Sequence, residues 1–147
     1  MTRTLPALLL AVLLALPGCD VRDSLVSVLE VRPAYSGDAA APPGASAERV
    51  VLVRSAAEEA AVRASFGIAA PFAGVDYRTD VVAVVGRPLP AGSGRLEIDR
   101  VELRGQREVV VRSRAVGSSN APARYAAAAA AVDRFSEAFT DVRGDFR

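Results

Sequence analysis

Tyr125-Ala126-Ala127-Ala128-Ala129-Ala130-Ala131-Val132-Asp133-Arg134-Phe135 is the stretch whose conformation decides the fold. An unbroken run of alanine is strong helix former, because alanine loses no side-chain entropy on entering a helix. Ala128, Val132, Phe135, Phe139 and Val142 also recur at spacings of three and four, as in an amphipathic helix. As a strand, the same chain would turn Ala130, Val132 and Arg134 to one face and Ala131, Asp133 and Phe135 to the other. The residues alone leave both conformations open.

Upstream segments read more plainly. Val81-Val82-Ala83-Val84-Val85 is uncharged and mostly β-branched, as a strand covered on both faces should be. Arg49-Val50-Val51-Leu52-Val53-Arg54 is an apolar run between charges and predicts a buried strand. After it, Ser55-Ala56-Ala57-Glu58 makes a capping box, in which the Ser55 side chain accepts from the Glu58 N–H and Glu58 reaches back. The pattern predicts a helix over about 56–66. Ala57, Ala61 and Ala64 share one face, Val62 and Phe66 lie beside it, and Gly67 is placed to stop it. An irregular connection holding Pro71 and Gly74 follows.

Leu96-Glu97-Ile98 and Val101-Glu102-Leu103 flank Asp99-Arg100 with a change of apolar parity. A bulge there would keep both halves on the core. Arg104-Gly105-Gln106 then turns into Glu108-Val109-Val110-Val111-Arg112, completing a hairpin. Residues 24–31 predict one more strand, ended by Pro33. Residues 33–48, rich in proline, glycine and small side chains, read as a mobile surface loop.

Composition excludes much. The chain has no His, no Trp and one Cys, and all of its basic residues are arginine. Without His there is no Ser-His-Asp or Cys-His arrangement, and a zinc site of the usual ligands is closed off. Without Lys there is no P-loop lysine or Schiff base. Arg3 apart, arginines and carboxylates balance, and aromatics are sparse. Nucleic acid is therefore not an expected partner. Carboxylates remain as possible chemistry: Asp76, Asp80 and Glu97, or the set Asp133, Glu137, Asp141 and Asp145 at four-residue spacing. On a helix that set would line one face. It lacks the loop pattern of an EF-hand, so a solvated face paired with Arg134 and Arg143 is expected. Neither a metal nor another cofactor is expected.

The first residues, MTRTLPALLLAVLLALPGC, have a basic start at Arg3 and an apolar core from Leu5 to Leu16, too short to span a bilayer. Leu16-Pro17-Gly18-Cys19 resembles the lipobox of bacterial lipoproteins, with Pro17 in place of the usual small residue. The resemblance implies that residues 1–18 are a signal peptide and that Cys19 is the lipid-attachment site. It places the chain in the cell envelope, anchored to a membrane by its acyl chains. Residues 19–147 are then a single domain, and a lone cysteine gives it no internal disulfide. Asp20 resembles an inner-membrane retention signal; which membrane and leaflet hold the anchor is otherwise open.

The order from Val50 to Arg114, with Val75-Asp76-Tyr77 and then Val85-Gly86-Arg87-Pro88 after an apolar strand, resembles the PrcB-like family. The namesake of that family is an accessory subunit of a bacterial cell-surface protease complex. Ala91-Gly92-Ser93-Gly94-Arg95 departs from the family's Thr-Gly-Gly-Tyr, and the late Pro-aromatic-His strand has no His here. The resemblance marks Asp76, Tyr77, Gly86, Arg87, Pro88, Gly92 and Gly94 as motif positions, turn chemistry more than catalysis. It also implies an extended chain over about 126–135.

The expectation is one α+β domain: an antiparallel-rich sheet of five or six strands with one capped helix on a face. Its expected work is non-enzymatic, as an accessory or protein-binding module for an exported or envelope protein, such as a protease. The alternatives are a carboxylate-dependent hydrolase or sugar-active protein, and a purely structural lipoprotein.

Overall fold

The computed structural model describes residues 25–41, 43 and 48–147. The signal segment, Cys19, Asp20 and most of the 42–47 stretch lie outside the described residues. Among those described, the strands are β1 (Val26–Leu29), β2 (Arg32–Asp38), β3 (Arg49–Val53), β4 (Asp80–Leu89), β5 (Ser93–Arg104), β6 (Glu108–Ser118), β7 (Arg124–Asp133) and β8 (Asp141–Phe146), and the helix is α1 (Ala56–Phe66). The class is α+β and antiparallel-rich. The strands make two four-stranded sheets, in the orders β1-β5-β6-β8 and β2-β7-β4-β3, where one sheet of five or six was expected.

The alanine run is β7, at the centre of the second sheet. It pairs antiparallel with β2 on one side and with β4 on the other, Val81 facing Val132 and Val85 facing Ala128. Both of its faces are covered. Ala126, Ala128, Ala130 and Val132 enter the core between the sheets with Val81, Val85, Leu96, Val101 and Val111. Tyr125, Ala127, Ala129 and Ala131 enter a second core with Phe66, Phe72, Val82 and Val84, beneath α1 and the loop after it. Two hydrogen-bonded flanks and two buried faces outweigh an intrinsic helix preference of a few tenths of a kcal/mol per residue. The three-and-four periodicity was a coincidence of three elements: Phe135 and Phe139 lie beyond β7, and Val142 belongs to β8.

α1 follows its sequence signals. Ser55 Oγ accepts from the Glu58 N–H at 3.2 Å, Glu58 Oε2 accepts from the Arg54 N–H at 2.6 Å, and Gly67 closes the helix at φ 66°. The buried face differs from the expected one. Ala57, Ala61 and Ala64 are exposed, while Glu59 and Phe66 are buried. The bulge expected at Asp99-Arg100 is present as a register shift between Ile98 and Arg100.

Two segments differ from the expectation. The predicted loop over 33–48 begins instead as β2, with Pro33 in place because β2 is an edge strand with one side free of ladder bonds. The predicted 24–31 strand is correspondingly shorter. β8, parallel to β6, was not expected; its Asp-Val-Arg-Gly-Asp-Phe sequence carries little apolar signal because only one of its faces meets the core. Among the described residues, no helix is long and apolar enough to cross a membrane.

Candidate functional site

Asp76 and Tyr77 sit in the connection from α1 to β4, and that connection is held by buried carboxylates. Glu59 Oε1 accepts from the Phe72 N–H at 3.0 Å, Glu59 Oε2 accepts from the Tyr77 hydroxyl at 2.8 Å, and Arg63 Nε lies 3.2 Å from Oε1. Asp80, 2% exposed, accepts from the Asp76 N–H at 2.9 Å and from Arg32 at 2.7 Å. The Arg134 guanidinium donates to the Tyr77 carbonyl at 2.8 Å. Asp76 itself turns outward and is clamped by Arg78, whose guanidinium and backbone N–H hold its carboxyl down at about 2. Burial first, and the bond to Glu59 second, push the Tyr77 phenol above its usual range. These are groups that brace a loop, each already engaged. Glu59 carries no signal in the sequence, since an acid on a helix looks solvated until the partners beneath it are known, and Arg134, expected to pair with the nearby acids, also reaches the Tyr77 carbonyl.

The other motif positions shape strands. At Gly86 a Cβ would overlap the Phe66 ring and stand 2.9 Å from Tyr125 Cε1. At Gly94 it would overlap the Val116 carbonyl, and Gly92 turns at φ 83°. Pro88 lies exposed in β4, and Arg87 extends over the Phe146 ring at 3.1 Å with Nη1 3.2 Å from Glu48 Oε2. Burial lowers the Arg87 pKa.

The remaining acids do not converge. Glu97 pairs with Arg95, Asp133 with Arg32, Glu137 with Arg134 and Asp145 with Arg112, while Arg143 pairs with Glu108. Because 133–145 is not a helix, the four-residue spacing lines up no face. Among the described residues, no three His, Cys, Asp or Glu side chains gather as metal ligands would.

An open feature lies along one side of the sandwich. β3 and β8 are edge strands of opposite sheets, and both border this side. Between them run two adjoining cavities of about 360 Å3 and 450 Å3, which share Val50 and Val142. Leu52 and Phe139 continue the apolar floor, and Glu48, Arg54, Glu137 and Arg143 stand around it. Glu48 lies over Gly144, where no side chain stands in its way, and among the described residues its Oε1 has no hydrogen-bond partner. Burial raises the Glu48 pKa against the opposing pull of Arg87.

A second groove, about 420 Å3, lies between β2 and β5, where β5 outruns β1. Its strand edge is already occupied: Ser36 Oγ donates to the Leu96 carbonyl at 2.7 Å and Arg124 donates to the Gly94 carbonyl. In the β3–β8 furrow Arg54 bonds the Phe135 and Phe139 carbonyls at 3.3 Å each, but among the described residues no side chain bonds the backbone of β3 or β8 themselves, and this furrow is the better candidate for receiving another chain. No protein-family model, no curated protein and no solved structure matches this chain.

Proposed function

We propose that the protein is a lipid-anchored, non-enzymatic accessory module of the cell envelope, binding an extended segment of an exported protein along the β3–β8 furrow. A protease of the kind served by PrcB-like subunits is the partner class suggested by the sequence resemblance. One observation carries the reading: two edge strands with unpaired backbone flank a charge-rimmed furrow floored by Val50, Leu52 and Val142. Edge strands recruit extended peptides through main-chain hydrogen bonds, and the pockets between side chains select among them. Glu48 and Arg143 at one end, and Arg54 and Glu137 at the other, supply charges of both signs for register. The hydrolase alternative draws no support from Asp76, Asp80 or Glu97, each of which is held by an arginine.

The test is site-specific crosslinking in intact cells from a photoreactive residue at Val51 or Val142 of the full-length chain, with crosslinked peptides identified by mass spectrometry. The expected product is one extended segment of one exported protein, lost in a Val50→Asp variant whose melting profile is unchanged. A synthetic peptide of that segment should bind the purified protein. Crosslinks spread over lipids and abundant envelope proteins, equal in both forms, would leave the structural-lipoprotein alternative standing.

A further inference from the structure

We infer that β1 is a membrane-docking edge, so that the domain lies against the bilayer with Leu25, Val26 and Val28 in its interface. This rests on the proposal that Cys19 carries the lipid anchor. Val26 and Val28 are 53% and 57% exposed on a single short edge strand, and Leu25, 61% exposed, immediately precedes it. Their direction is set by alternation: Leu29 packs against the core between the sheets, so Val26 and Val28 face away from it. A solvated strand face would carry polar residues at those two positions.

The surroundings fit the boundary between acyl chains and headgroups. Val26 pairs with Arg104, and the Gly105 N–H donates to the Leu25 carbonyl, which brings the Arg104-Gly105-Gln106-Arg107 turn beside the apolar cluster. Arg100 borders the same strip. Of the carboxylates among these arginines, Glu102 is buried and held by Arg104 and Arg112, and Glu108, across from Arg104, is paired with Arg143. Glu30 stands beyond the far end of β1. Exposed apolar side chains ringed by guanidinium groups suit a surface of anionic phospholipid, whose phosphates pair with arginine while valine and leucine enter the interface.

Chain length selects lipid over a protein occupant. Only residues 20–24 separate Cys19 from Leu25, so even a fully extended chain keeps Leu25 within about 20 Å of the anchored cysteine. Tethering at that range holds β1 at high effective concentration beside the bilayer, whereas a protein partner would have to arrive there.

The experiment uses the full-length, processed protein reconstituted in vesicles of phosphatidylethanolamine and phosphatidylglycerol, with acylation of Cys19 checked by mass spectrometry. A polarity-sensitive fluorophore is attached through Val28→Cys and, as the reference, through Ala57→Cys on the exposed face of α1. Nitroxide-bearing lipids should quench the label at position 28 several-fold more than at 57, and Val26→Asp should reduce that quenching. Equal quenching at both positions on acylated protein overturns the docking and leaves the anchor standing. A Cys19 without lipid overturns both. A label at 28 that is shielded in native envelopes but not in vesicles assigns the edge to a protein and also overturns the inference.

Discussion

The Tyr77 hydroxyl donates to Glu59 Oε2 at 2.8 Å, joining the loop before β4 to the buried face of α1. The same carboxylate takes the Phe72 N–H on its other oxygen. One acid thus satisfies two donors that would otherwise be buried without partners, and this is how a connection rich in small residues keeps one conformation.

Glu59→Ala strands both donors and should cost about 3 kcal/mol, whereas Tyr77→Phe removes one bond and should cost about 1 kcal/mol. Urea unfolding followed by circular dichroism measures both, and equal losses would contradict the shared-acceptor geometry. The alkaline side carries a sign. Because the folded state raises the Tyr77 pKa from 10.0, its contribution is complete below about pH 10 and is lost as pH climbs through the folded value. Tyr77→Phe should flatten the alkaline decline without abolishing it, since burial also raises Tyr35 and Tyr125.

Acid should act in the opposite sense. The Asp76 N–H, and then Arg32, lower the pKa of Asp80; Arg104 leads in lowering that of Glu102; Arg78 holds Asp76 at about 2. Depressed carboxylates contribute stability above their ordinary values, near 4, and lose it as pH falls through the folded ones. Stability should therefore fall steadily below about pH 4. Asp80→Asn should cost about 1–2 kcal/mol at neutral pH and make the acid slope shallower. An unchanged slope would mean that Asp80 is not held as described.

Much of this architecture was legible in the sequence, for physical reasons that vary by element. α1 carried both caps, and the β5–β6 hairpin carried alternation and a parity change that only a bulge resolves. β4 was apolar enough to announce two covered faces. β7 was ambiguous because alanine suits a helix locally, and only its neighbours β2 and β4 make it a strand. β2 was hidden by Pro33, and β8 by a sequence with one weakly apolar face. The site was less legible still: Glu59 reads as a surface acid, and the furrow exists only because β3 and β8 end up as edges of different sheets.

Glycine replacements separate shape from binding. Gly94→Ala drives a Cβ into the Val116 carbonyl, which is backbone and cannot yield, so it should cost more than Gly86→Ala, where the Phe66 ring can shift. About 3 and about 2 kcal/mol are expected from the cost of overpacking. At Gly144 the first obstacle is the far end of the Glu48 side chain, which can swing away, and the second is Val50 Cγ2 at 2.8 Å, which must give by a few tenths of an ångström. Gly144→Ala should cost about 1 kcal/mol, less than either, and weaken capture of the crosslinked segment. Strong destabilisation by Gly144→Ala would show that Glu48 is fixed and the furrow closed at that end.

The alanine run gives the sharpest contrast between a strand and a helix. If β7 is central, Ala126–Ala131 should show Cα and Cβ chemical shifts in the strand direction. Every amide from Ala126 to Val132 should also exchange slowly, because β2 and β4 together occupy both sides. Edge strands β3 and β8 pair on one side only, so part of their amides should exchange faster, on the order of a thousandfold, through local opening. Helical shifts over 126–131 would remove the strand that both cores are built on. With the strand confirmed, adding the captured peptide provides the functional half of the same measurement. A strand-adding partner must slow the fast amides of β3 or β8 and leave β7 unchanged. Protection appearing elsewhere would move the binding site off the furrow.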